Sequence, residues 1–244
     1  MHSHLSPFRR RFSGHHAALA VLAALARMAA LALAFARAPV IVAALALAFA
    51  SAPVIAAEAP PTLLVVGDSI SAAYGLAPGT GWVDLLSART ATEKLPYRVV
   101  NASISGDTTA GGRARLPALL ATHKPAIVII ELGGNDALRG GNLASARDNL
   151  AAMVAAVQKA KAKALIIGMK IPPNYGAAYV REFDALYASV ARDAKVPLVP
   201  FFFEGFGERS DLFQADRIHP TAAAQPLLLD NVWPVLLPLL NSRR

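Results

Sequence analysis

The sequence predicts an α/β protein, a five-stranded parallel sheet with helices on both faces in a three-layer α/β/α sandwich. Two observations predict it. Five short apolar runs alternate with longer stretches of helical pattern, as expected of strands linked by helical crossovers. The runs are near-continuous in Val, Ile and Leu instead of alternating with polar residues, which marks strands buried on both faces. At 55% hydrophobic and 16% charged, the chain is not disordered.

The elements follow in order. Strands are predicted at Leu63–Val66, Arg98–Val100, Ile127–Leu132, Leu165–Met169 and Leu198–Phe202. Helices are predicted near 81–93, 109–122, 143–163, 177–194 and 221–240. In such sheets chemistry gathers in the loops after the strand C-termini. The first strand exits into Gly67-Asp68-Ser69-Ile70-Ser71, the second into Asn101-Ala102-Ser103-Ile104-Ser105-Gly106-Asp107-Thr108, and the third into Gly133-Gly134-Asn135-Asp136. Asp216-Arg217-Ile218-His219-Pro220 precedes the last helix. All of these fall on one edge of the sheet.

Residues 1–57 are a different kind of sequence. They hold five Arg, no Lys and no acidic residue, and 17–57 is almost pure Ala, Leu, Val, Ile and Phe, interrupted by Arg27 and Arg37. A basic head before an apolar core is the order of a secretory signal. Residues 28–41 recur as 42–55, differing only at Met28/Val42 and Arg37/Ser51, so a tandem duplication has lengthened the run. Met28 is a second candidate start. Cleavage is expected after Ala57, because cuts after Ala52 or Ala59 would place Pro next. Arg9-Arg10-Arg11-Phe12 has the residues of a twin-arginine signal, and a plain positive head accounts for them too. A retained anchor is opposed by the two arginines and by Pro39 and Pro53. The expected organisation is an export leader over 1–57 and a catalytic domain over 58–244, periplasmic or secreted, touching the membrane only through the leader.

The net charge of +8 belongs largely to that leader. Without its arginines, 19 basic residues face 16 acidic ones, so a basic nucleic-acid stripe is not expected. The absence of Cys excludes a disulfide scaffold, a thiol nucleophile, an iron–sulfur cluster and Cys-ligated zinc. Beyond the leader only His123 and His219 remain, so a zinc site of the usual ligand sets is not expected. His123 precedes the third strand, at the opposite edge, and reads as a solvent-facing helix end.

His219 lies on the functional edge, where it can serve as a general base. Asp216, three residues earlier, can orient the imidazole through Nδ1–H and leave Nε2 for a hydroxyl. Ser69, in the tight turn after the first strand and meeting a helix N-terminus, is the candidate nucleophile. Ser71, Ser103 and Ser105 compete with it, and capping is the commoner use of serine. Gly106 can offer a backbone N–H to a developing oxyanion and Asn135 a side-chain amide; a left-handed turn and an Asx-turn are their structural alternatives. The Ser69 turn lacks the Gly two places later that a nucleophile elbow needs, so the layout is not that of an α/β-hydrolase.

These residues resemble the SGNH, or GDSL-type, hydrolase superfamily. Its blocks are present in order as Gly67-Asp68-Ser69-Ile70, Gly106, Gly133-Gly134-Asn135-Asp136 and Asp216-x-x-His219. Ser103–Thr108, Glu131–Asp136, Pro173-Asn174-Tyr175-Gly176, Val196–Phe202 and Ile218-His219-Pro220 are similar to the bacterial periplasmic thioesterase I, lysophospholipase and arylesterase branch, over essentially all of 61–240. The resemblance implies a flavodoxin-like α/β/α domain, a Ser69–His219–Asp216 triad, and an oxyanion hole from the Ser69 and Gly106 N–H groups and the Asn135 side chain. Ile70 stands where the family name expects Leu, and Lys170-Ile171-Pro172-Pro173 falls in a loop the family uses near the acyl chain.

The expected function is hydrolysis of acyl esters, acyl thioesters or lysophospholipids through an acyl-enzyme, by a monomer that needs no cofactor. The rivals are a carbohydrate acetylesterase with the same triad and an acyl-binding protein whose triad is dead.

Overall fold

The computed structural model describes residues 21–33 and 59–242. These belong to two units, Met1–Glu58 and Ala59–Arg244. In the first, Val21–Leu33 is a short apolar helix. Of the duplicated segments 28–41 and 42–55 only residues 28–33 are described, and the expected cleavage point after Ala57 lies outside the described residues.

The second unit opens with β1 (Thr62–Gly67), whose six residues are all buried. β2 (Arg98–Asn101), β3 (Ile127–Glu131), β4 (Lys163–Ile167) and β5 (Leu198–Val199) complete the sheet. Every pairing is parallel, in the order β2-β1-β3-β4-β5. This is the doubly wound flavodoxin-like order, with its switch point beside β1. β1 and β3 are central, and Leu63–Val66 and Ile127–Ile130 are solvent-free, as their unbroken apolar runs require.

Helices α1 (Trp82–Thr92), α2 (Thr109–His123), α3 (Gly134–Leu138), α4 (Leu143–Lys159), α5 (Ala177–Ala194) and α6 (Gln225–Asn241) connect and cover the strands. α1 and α6 pack together on one face; α2, α4 and α5 pack on the other. Their starts are chemically marked. Thr108 accepts a hydrogen bond from the Gly111 N–H at 3.3 Å, and Asn142 one from the Ser145 N–H at 2.9 Å, each satisfying an orphan donor of a first turn.

The element boundaries differ from the predicted ones where backbone chemistry intervenes. α4 ends at Lys159, not at 163, because Lys161 takes φ 61° and turns the chain into β4 early. β5 ends at Val199, not at Phe202: Pro200 has no N–H to continue a ladder. The Phe202 N–H still reaches the Gly168 carbonyl at 2.9 Å. The short α3 was expected as loop, and the 3₁₀ turns Pro173–Tyr175, Ser210–Leu212 and Ala222–Ala224 carry no sequence periodicity.

Candidate active site

The C-terminal ends of β1, β2 and β3 sit side by side, and each delivers one predicted block. After β1 the chain turns sharply. The Ala72 N–H reaches the Asp68 carbonyl at 2.9 Å, and the Tyr74 N–H the Ser69 carbonyl at 3.0 Å. Ala73 (φ 58°) and Gly75 (φ 76°) are left-handed, so these turns never become a helix, and α1 starts only at Trp82. Ser69 therefore sits in irregular turns, not at the helix N-terminus expected for it.

Ser69 faces His219. The Ser69 Oγ lies 2.8 Å from His219 Nε2, and His219 Nδ1 lies 2.7 Å from Asp216 Oδ2. The loop carrying both residues is held by Asp216 itself, whose Oδ1 accepts from the N–H groups of Ile218 at 2.9 Å and His219 at 3.1 Å. An isolated antiparallel bridge between Phe213 and Pro220 closes the loop. Partial burial works to raise the Asp216 carboxyl, but the hydrogen bonds from the His219 ring and from the two N–H groups outweigh it and hold it down at about 2. A carboxylate held ionised keeps the proton on Nδ1 and leaves the Nε2 lone pair toward Ser69.

Gly106 and Asn135 line the same cavity as Ser69 and His219. Gly106 has φ +78°, a conformation open to glycine at little cost. Arg139 donates to its carbonyl at 3.0 Å. Arg115 braces the same loop, reaching the Asp107 carboxylate at 2.7 Å, the Ala102 carbonyl and the Gly67 carbonyl at 3.3 Å. Asn135 lies in the first turn of α3 and donates to Asp68 Oδ2 at 3.1 Å.

The competing serines separate. Ser71 is buried and donates to Glu131 Oε2 at 2.7 Å while accepting from the Trp82 ring N–H at 3.1 Å. Ser103 Oγ is buried without a partner. Ser105 lines the cavity. His123 ends α2 beneath the opposite edge of the sheet.

Two features were not read from the sequence. The first is a pair of buried carboxyl groups beside Ser69. Asp68 is 3% exposed and Glu131 not at all. Burial pushes Asp68 up to about 6 despite the Ile70 N–H and Asn135 hydrogen bonds. Burial, then the Asp68 charge, push Glu131 well above the usual carboxylate range. Glu131 Oε2 accepts from the Ser71 hydroxyl at 2.7 Å and from the Asp68 N–H at 3.4 Å, and Glu131 Oε1 has no partner. Glu131 ends a wholly apolar strand, and a lone acid at that place was the available signal.

The second is the wall of the cavity, which measures about 1150 Å³. Phe201, Phe203, Phe206 and Phe213 line it, with ring centroids 5.4–5.9 Å apart where they touch. Tyr74 lies against the His219 ring at 4.6 Å. The Phe-rich stretch has no helical or strand period, so its role shows only in three dimensions.

Ser69, His219 and Asp216 thus form a continuous line of hydrogen-bond contacts, and Ser69 and His219 line the cavity. The GDSL-like Lipase/Acylhydrolase family model matches residues 65–226. The chain belongs to this family. The esterase TesA of Pseudomonas aeruginosa is 60% identical over 179 residues, covering 73% of this chain and 89% of that protein. The thioesterase 1/protease 1/lysophospholipase L1 of Escherichia coli K12 is 42% identical over 185 residues, covering 76% and 88%. The crystal structure of the psychrotrophic esterase EstA from Pseudoalteromonas sp., inhibited by monoethylphosphonate, superposes with a TM-score of 0.71 at 40% identity, covering 74% of this chain and 99% of that one. As a GDSL acylhydrolase, this chain is an ester or thioester hydrolase with the five-stranded parallel α/β fold of its relatives.

Proposed function

We propose that this acylhydrolase is exported and works through a Ser69–His219–Asp216 triad, with Ser69 N–H, Gly106 N–H and the Asn135 side chain as the oxyanion hole. The observation that carries the triad is the continuous contact from Ser69 Oγ to His219 Nε2 at 2.8 Å and from His219 Nδ1 to Asp216 Oδ2 at 2.7 Å.

The steps follow from that geometry. Ser69 Oγ attacks the acyl carbonyl carbon as His219 Nε2 takes its proton. The carbonyl oxygen becomes an oxyanion facing the three donors, which act more strongly on it than on the ground state. The C–O or C–S bond then breaks, and His219 gives the proton to the leaving alkoxide or thiolate. Water attacks the acyl-enzyme, losing a proton to His219, which returns it to Ser69 as the acid departs. Asp216 stays ionised throughout.

The phenylalanine wall supports acyl chains as the substrate portion, since an apolar lining favours hydrocarbon. Fatty acyl thioesters, simple alkyl or aryl esters and lysophospholipids all fit this chemistry. An acetylated sugar offers the wall one methyl group to bury. The leader supports export: no acid and a basic head precede an apolar run that closes at Ala57.

One experiment tests the reading. Protein recovered from the exported fraction is treated with a fluorophosphonate and analysed by mass spectrometry. The adduct should sit on Ser69, and the chain should begin within a few residues of Glu58. Ser69→Ala should lose nearly all turnover of a p-nitrophenyl ester series and all labelling, with its melting temperature kept. Labelling that persists in Ser69→Ala overturns the nucleophile. A chain starting at Met1 or Met28 overturns processing. Acetylated sugar turned over faster than every acyl ester in the series favours the acetylesterase.

A further inference from the structure

Asp68 takes no part in the proton relay, yet both of its carboxylate oxygens are committed inside the site. Oδ1 accepts from the Ile70 N–H at 3.0 Å, and Oδ2 from Asn135 Nδ2 at 3.1 Å. The group is almost fully buried, and its own N–H is held by Glu131.

An ionised carboxylate only accepts. The end of the Asn135 carboxamide that meets it must therefore be the NH2 end. That nitrogen carries two hydrogens, and with one directed at Asp68 the other is free to donate elsewhere. The last torsion of an Asn side chain is broad and two-fold, so the backbone of α3 does not choose between NH2 and C=O at this position. A half-turn would bring the amide oxygen against the Asp68 charge and present an acceptor to the oxyanion. The choice between a donor and a repulsive acceptor thus rests on the buried carboxylate.

We infer that Asp68 is a positioning residue of the acyl-transfer reaction, fixing the Asn135 carboxamide with its NH2 group toward the oxyanion. This inference rests on the proposed role of Asn135 as an oxyanion donor. Asp68 touches no reacting atom; it acts through Asn135.

The test is a double-mutant cycle on a short p-nitrophenyl ester, with a melting curve for each variant. Asn135→Ala should lower kcat by about 100 to 1,000-fold with KM changed far less, the cost of one oxyanion donor. Asp68→Asn keeps the shape but sets an NH2 group among two donors that need an acceptor. It should lower kcat by at least about tenfold, again with little change in KM. Added to Asn135→Ala, it should lower kcat no further, because the amide it orients is gone. Asp68→Ser, whose hydroxyl can still accept from the Ile70 N–H, should behave like Asp68→Asn. Should neither variant fold, proton exchange on the wild-type Asn135 side chain decides: one amide hydrogen slow supports the inference, and two fast ones overturn it. An undiminished kcat in Asn135→Ala overturns the donor role and the inference with it. A large loss in Asn135→Ala beside full activity in Asp68→Asn overturns the inference alone. Losses that multiply in the double variant also overturn it, since Asp68 would then act other than through Asn135.

Discussion

Gly67 is the last residue of β1, and a side chain there has nowhere to go. A Cβ would stand 2.7 Å from the Ser71 Cβ and Oγ and 2.8 Å from Glu131 Oε2, closer than carbon tolerates. The turn that presents Ser69 can therefore approach the buried Glu131–Ser71 pair only because residue 67 has no side chain. Gly67→Ala should destabilise the protein by about 1–3 kcal/mol, as overpacking in a well-filled core does. It should also lower kcat, because the displaced residues flank the nucleophile. Urea unfolding beside steady-state kinetics checks both, and unchanged stability would show that Ser71 yields freely. At this scale the sequence was most informative. Ser69, Gly106, Asn135 and His219, singled out in the sequence, line one cavity, and Asp216 contacts His219; that Ser69, Gly106 and Asn135 would gather was legible because strand exits in a parallel sheet share one edge. Asp68 and Glu131 were legible only as residue types. That they are stacked 63 positions apart in the chain, Asp68 N–H to Glu131 Oε2, depends on the β1–β3 register.

Among the elements, the strand cores and several ends were read correctly, and the ends of α4 and β5 were not. Apolar content marks burial, whereas termination depends on single backbone angles. Leftward turns at Lys94, Lys124, Lys161 and Lys195 close segments where glycine would signal the stop, and the one at Lys161, inside an otherwise helical pattern, was missed. Lys195 follows α5 at φ 54°, and its N–H bonds back to the Arg192 carbonyl at 3.2 Å. A left-handed L-residue costs roughly 1–2 kcal/mol, while glycine costs about 0.5–1 kcal/mol in backbone entropy. Lys195→Gly should therefore stabilise the protein by about 0.5–1 kcal/mol, measured as a higher denaturation midpoint with unchanged kcat. A lower midpoint would mean that the lysine side chain contributes to the α5 end.

For the molecule as a whole, the shifted carboxyl groups set opposite slopes of stability against pH. Asp216 sits at about 2 in the fold against an ordinary 3.8, so its stabilisation is present above about pH 4 and is lost as pH falls toward 2. Asp68 is raised from 3.8 to about 6, and Glu131 is raised as well. For these two the folded state holds the proton longer, so stability falls as pH rises from about 4 through 6 and beyond. The urea midpoint should be higher at pH 4.5 than at pH 8. Glu131→Gln imitates the protonated acid and should flatten that decline; an unchanged slope would locate it elsewhere. Residues 1–57 were read as a leader from their composition and tandem repeat, and the described part of that stretch is the helix Val21–Leu33. The Ser69–His219 contact spans 150 positions, from a serine just after the first strand to a histidine just before α6. A ribosome therefore delivers Ser69 long before His219. Every nascent or truncated chain that stops short of residue 219 lacks that histidine, so on the proposed triad hydrolytic activity switches on only after it has been added.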